Sequence, residues 1–183
     1  MRHSAHDFLT KLPSFLLALL FIGLGCTRVW AGDERQNMAS RIFLFSKYVD
    51  FSKEKLKNDG PFVIGVFGQD QIYDYLREQT GKKIKNRDVE VKRITTMQEI
   101  AGCHVLFISA ADPAKMRAAI REAKSDRVLT VGQGDSFEKD GGVITFVADG
   151  EGIRFTVNRK NAERTKLEIG SDLLSMAEMP QPK

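Results

Sequence analysis

The residues able to do chemistry are few and far apart in the chain. Gly134-Asp135-Ser136-Phe137 follows a strand-like run and has the make-up of a serine nucleophile placed at a turn. Such a serine needs a base to take its proton, most often a histidine. His3 and His6 sit at the N-terminus, which leaves His104, and no aspartate stands three residues before it. The plainer reading is a turn, because Gly, Asp and Ser are what turns use. Cys103-His104 is not a metal pair, since neighbouring strand residues point to opposite faces. Gly65-Val66-Phe67-Gly68 lacks the further glycines and the lysine of a phosphate loop. Asp70 and Asp112 lie too far past their strands to serve as the acidic residue and the phosphoacceptor of a receiver domain. Lys82, Lys83, Lys85 and Arg87 form a basic cluster without interleaved aromatics, read as a solvated loop, with a partner surface as the lesser reading. We therefore expect no enzyme activity, no catalytic residue, no metal and no cofactor.

Composition narrows the class further. The chain has 183 residues, 28 Lys+Arg against 24 Asp+Glu, 42% hydrophobic and 28% charged residues. That is enough apolar residue for a core and too little charge for disorder. A net +4 is small for a nucleic-acid binder, and two cysteines exclude a disulfide-dense scaffold.

Arg2 and Lys11 precede the apolar run Phe15–Leu24, about half the ~20 residues that span a bilayer. Val29-Trp30-Ala31 then supplies small residues where a signal peptidase needs them. Residues 1–31 are expected to be a signal peptide cleaved between Ala31 and Gly32, sending residues 32–183 to the periplasm. Lipidation of Cys26 is the alternative, although Gly23 stands where a lipoprotein signal usually has Leu. Cleavage removes Arg2, Lys11, Arg28 and Asp7 and leaves a net +2, with Cys103 as the single cysteine. Such a chain forms no internal disulfide.

Elements follow from periodicity. Met38, Ile42, Phe45 and Val49 make one helical stripe from about Asn37 to Val49. Phe62–Phe67 is apolar throughout, as in a strand buried on both faces. Ile72, Tyr75 and Leu76 mark a helix stopping at Gly81. Strands are expected around Val89–Ile94, Cys103–Ile108, Val128–Val131, Val143–Val147 and Ile153–Val157, the last two forming a hairpin through Ala148–Gly152. Thr96 and Glu99 fit a capping box opening a short helix. Asp112-Pro113 opens a longer one with Met116, Ala119, Ile120 and Ala123 on its inner face. Asn158 and Ser171 start two more. The expected fold is α/β: one layered domain over 32–179, a mainly parallel central sheet with an antiparallel C-terminal hairpin, helices on both faces, and a loose tail at 180–183.

In such sheets ligands bind beyond the carboxyl ends of the strands. Gly68, Gln69, Asp70, Ser109, Gly132, Gln133 and Gly134 would share that rim and form a candidate site for a small polar ligand. Gly141-Gly142 before a strand implies a positive φ or a close approach. Cys103 is expected to be buried.

Lys47–Ser52 (KYVDFS), Phe62–Gly68 (FVIGVFG), Gly81-Lys82, Cys103–Ser109 (CHVLFIS), Val128–Gly132 (VLTVG), Gly141–Val147 (GGVITFV) and Phe155–Ala177 occur in an order that resembles the YfiR family of periplasmic regulators. The resemblance implies a homodimer that binds the periplasmic domain of a membrane-bound signalling protein, a diguanylate cyclase or sensor kinase. It implies control of cyclic-di-GMP and biofilm formation, with no nucleic-acid partner. Membrane contact would come only through the partner, unless Cys26 is lipidated. Phe51 stands where many relatives have Trp, and no cysteine lies opposite Cys103, so redox control does not carry over. The alternative function is an envelope small-molecule binding protein.

Overall fold

The computed structural model describes residues 27–52, 55–56, 59–149 and 152–178. The chain divides into two units, Met1–Asp33 and Glu34–Lys183, and the second carries the domain. The apolar run Phe15–Leu24 and Cys26 lie outside the described residues. Among the described residues no helix is long and apolar enough to cross a membrane.

Helix α1 (Thr27–Tyr48) leads into β1 (Val49–Asp50). It starts ten residues before the helix expected from Asn37. Then come β2 (Phe62–Phe67), α2 (Ile72–Arg77), β3 (Lys83–Ile84), β4 (Arg87–Ile94), a 3₁₀ turn (Gln98–Gly102), β5 (Val105–Ile108) and α3 (Pro113–Ser125). β6 (Leu129–Gln133), α4 (Asp135–Lys139), β7 (Ile144–Asp149), β8 (Gly152–Val157), α5 (Arg159–Arg164), β9 (Glu168–Ile169) and α6 (Ser171–Glu178) complete the domain.

Seven strands form one sheet in the order β3-β4-β2-β5-β6-β7-β8, and β1 pairs with β9 in a separate antiparallel ribbon. The five strands from β4 to β7 are parallel, and β3 and β8 add an antiparallel strand at each end. The chain starts at β2, steps to β4 on one side and then to β5 on the other. Strand order therefore reverses between β2 and β5, which is where a doubly wound sheet opens a crevice.

The helices cover both faces. Met38, Ile42 and Phe45 of α1, Ile72 and Leu76 of α2 and Leu173 of α6 pack on Phe62, Ile64, Val105, Phe107, Phe146 and Phe155. On the other face Met116, Ala119, Ile120 and Ala123 of α3, Phe137 of α4 and Ile100 pack on Val63, Phe67, Leu106 and Ile108. Every residue of β2 is buried, as a strand covered on both faces must be.

Local chemistry explains most of the ends. Asp112 accepts from the Ala114 and Lys115 N–H groups with Pro113 as the first helical residue, and Asn158 accepts from Asn161 N–H at 3.0 Å. At the 3₁₀ turn only half of the expected box forms. Glu99 reaches back to the Thr95 and Thr96 N–H groups at 2.7 and 3.1 Å, but Met97, not Thr96, is the cap residue and its side chain makes no cap bond. The turn is too short for a full helical ring. Cys103 and His104 precede β5 rather than opening it, and Asp135–Lys139 is a one-turn helix where a plain turn was expected.

Candidate functional site

Three strand ends meet at the order reversal. Gly68 has φ +107°, and a Cβ there would lie 2.4 Å from the Ser109 carbonyl oxygen, so only glycine lets the two backbones approach. Ser109 N–H donates to the Phe67 carbonyl at 2.9 Å. The Ser109 hydroxyl donates to Asp70 Oδ2 at 2.8 Å, while Asp70 Oδ1 accepts from Ile72 N–H at 2.9 Å and so starts α2. The Asp70 side chain is only 5% exposed.

Its charge is met from α1. Arg35 Nη2 lies 3.5 Å from Asp70 Oδ2, and Arg35 Nη1 donates to Gln133 Oε1 at 2.8 Å. One guanidinium thus bridges the ends of β2 and β6 across the mouth of the crevice. The planar fork of arginine suits two acceptors at once. Arg35 is a residue that sequence reasoning missed. The signal was present, since Arg35 lies three residues before Met38 and extends its stripe onto the same helix face.

Of the seven rim residues, Gly68, Asp70 and Ser109 touch directly and Gln133 joins them through Arg35. Gln69 is exposed. Gly132 is buried and does something else: a Cβ there would lie 2.6 Å from the Phe137 ring. Gly134 has φ +83° with open space around it and serves the turn into α4. Gly141 has φ +113°, and a Cβ on Gly142 would lie 2.1 Å from the Phe137 ring. Ala31 and Gly32 fall within α1.

His104 and Ser136 do not form a dyad. His104 precedes β5 and Ser136 follows β6, so they stand at opposite ends of adjacent parallel strands. His104 Nδ1 accepts from Val63 N–H at 3.0 Å, and its ring stacks on Phe62 at 4.6 Å. Burial, with Lys55 and Arg87 nearby, pushes its pKa down to about 4. Burial pushes the Cys103 thiol up to about 11. Among the described residues no three His, Cys, Asp or Glu side chains gather as metal ligands would.

Two clefts lie at the β4 end of the sheet. One of about 600 Å³ is lined by Val63, Tyr73, Val91, Arg93 and Ile94 among others. A second of about 450 Å³ is lined by Lys55, Arg87, Glu90, Lys92 and His104 among others.

A family model described as YfiR/HmsC-like matches residues 35–178. No curated protein sequence matches this chain. Among solved structures, a conserved domain protein from Vibrio cholerae O1 biovar El Tor is similar in fold, with TM-score 0.50 and 14% identity over 76% of this chain. The ABC domain from Streptococcus pneumonia in complex with L-Trp gives TM-score 0.49 and 11% identity over 76% of this chain. This chain spans 58% and 59% of those two chains, respectively.

Proposed function

We propose, because this chain belongs to the YfiR/HmsC-like family, that it is an exported, non-enzymatic regulator. The family is one of periplasmic regulators of diguanylate cyclases. In this reading the chain is cleaved between Ala31 and Gly32, forms a homodimer and binds the periplasmic domain of a membrane-bound diguanylate cyclase. It thereby restrains cyclic-di-GMP synthesis and biofilm formation. The observation that carries the reading is the extent of the match, residues 35–178, which begins directly after the expected leader.

One experiment tests export and partner together. The full chain with a C-terminal tag is expressed in its own envelope, cross-linked and recovered. The expected result is an N-terminus at Gly32 and a co-purified membrane cyclase. Lipidated Cys26 would overturn the cleavage, and recovery without any membrane signalling protein would overturn the function.

A second reading rests on the Arg35 bridge. The order reversal is where sheets of this class hold ligands, and here an internal cation fills the mouth. A small polar ligand that displaces Arg35 from Gln133 and Asp70 would release α1 from the strand ends at Arg35 and so tune partner binding. Replacing Gln69 and Gln133 together with Ala should shift the melting curve little, since both are exposed. It should weaken any change in cyclase affinity caused by envelope metabolite extracts. An unchanged response would reduce the rim to a set of turns.

A further inference from the structure

The two ends of the sheet are not treated alike. β3 pairs with β4 only at Lys83↔Asp88 and Ile84↔Arg87. Just beyond, Val89 N–H donates to the Lys82 carbonyl at 2.8 Å and Gly81 N–H donates to the Val89 carbonyl at 3.1 Å. Val89 therefore turns both backbone groups away from β2. Backbone groups alternate sides along a strand, so those of Val91 and Arg93 also point away from β2. Among the described residues none pairs with them. The remainder of β4 is an open edge, the form of surface to which an extended segment adds as a new strand.

The cleft of about 600 Å³ follows this edge. Tyr73, Val91 and Arg93 line it from one face of the sheet, and Val63, Ile94 and Glu99 from the other. It therefore has room for side chains on both sides of an added strand. Charge selects the occupant. From Lys82 to Ile94 there are six basic residues and two acidic ones, and four of the six meet acids only in solvent-exposed pairs, Lys83 with Asp88, Lys85 with Asp50, Lys92 with Glu90 and Arg93 with Asp74, which an added acidic strand can replace. Lys92 and Arg93 are exposed, on opposite faces of the strand. Directly opposed opposite charges stabilise an antiparallel pair and like charges oppose it. A second copy of this chain is disfavoured because it would set Lys92 and Arg93 against like charge.

We propose that the free edge of β4, from Val91 to Arg93, takes an extended acidic segment of a protein partner as an added antiparallel strand. This rests on the reading of the chain as a protein-binding regulator, and it names the surface that reading lacks.

The test uses the mature chain and a capped pentapeptide probe, Glu-Val-Asp-Val-Glu, followed by fluorescence anisotropy and amide exchange. The expected result is saturable binding with slowed exchange at Val91 and Arg93. Affinity should fall at least tenfold for Val91→Pro, which removes an edge N–H, and for Lys92→Glu with Arg93→Glu. The same peptide N-methylated at alternate residues should not bind, and this control holds even if Val91→Pro fails to fold. Equal binding by the methylated peptide, or by Lys-Val-Lys-Val-Lys, overturns the proposal. In the envelope recovery, a cyclase captured equally by wild type and Lys92→Glu/Arg93→Glu overturns the edge and leaves the regulatory reading standing. Edge-specific peptide binding without any recovered signalling protein supports the edge and overturns that reading.

Discussion

The two faces of the sheet are built by different means. The face under α1, α2 and α6 is aromatic, with Phe45, Phe62, Phe107, Phe146 and Phe155 in one cluster and Phe45 within 4.6 and 5.7 Å of two other rings. The face under α3 and α4 is made close by glycine. Gly65 admits Cys103 and Ile94, and Gly132 and Gly142 together admit the single ring of Phe137. One face gains its burial from large side chains that fill the space between layers. The other gains it by removing side chains so that the layers approach. The first should tolerate modest trimming and resist charge; the second should resist any added carbon.

The largest expected effect follows from that. Gly142→Val places a Cβ within 2.1 Å of the Phe137 ring, and that ring is fully buried with nowhere to go. Overpacking of this kind typically costs about 1–3 kcal/mol, and this site belongs at the upper end. The strain is steric at Gly142, while the positive φ belongs to Gly141. The measurement is a denaturant melt, and a midpoint equal to wild type would break the account of this face. The partner variant Phe137→Leu should restore part of the loss, since it removes the ring the valine strikes.

The aromatic face was easier to read in the sequence than the glycine face, and for a physical reason. Met38, Ile42, Phe45 and Val49 carry their period in the chain itself, and Phe62–Phe67 states its double burial by being apolar throughout. Gly132 and Gly142 serve a ring that neither touches in sequence, so nothing local says which glycines pack and which turn. The same holds for the two-residue ribbon of Val49–Asp50 with Glu168–Ile169, too short to show alternation. Arg35 and Gln133 meet across 98 residues, so the closure of the crevice was legible only as an arginine at one end of a buried stripe. Order and class of elements come from local periodicity. Closure of a site comes from long-range pairing.

A smaller effect probes the aromatic face through its one buried histidine. His104 is 7% exposed, stacks on Phe62 and has Phe51 edge-on at 6.1 Å. Its pKa is pushed from 6.5 down to about 4 by burial first, then by Lys55 and Arg87. Between those values the unfolded chain takes a proton that the folded chain refuses. Stability is therefore complete above pH 6.5, falls as the pH drops toward 4, and is flat below. At about 1.4 kcal/mol per pH unit, the loss approaches about 3 kcal/mol. Thermal melts from pH 7 to pH 4 should show this fall. His104→Asn, which keeps an acceptor for Val63 N–H, should flatten that part of the profile. An identical slope in wild type and variant would assign the acid sensitivity elsewhere.

The smallest effect belongs to Cys103, on the glycine face. The thiol is fully buried beside Gly65, and burial raises its pKa to about 11, so thiolate is scarce near neutrality. Reagents attack the thiolate. Labelling of the native protein should be slow and should become fast in denaturant; rapid native labelling would show the face to be open. Cys103→Ala removes one atom and leaves a small void, at a cost of about 1 kcal/mol or less, with the proposed partner binding unchanged. The informative step is the double variant. A Cβ on Gly65 would lie 2.6 Å from Cys103 Sγ, so Gly65→Ala should be costly in wild type and less so once the sulfur is gone. Residues in contact couple by about 0.5–3 kcal/mol in such cycles. Strict additivity of the two changes would mean that this face is not held at glycine-limited distance, and the contrast between the two faces would lose its basis.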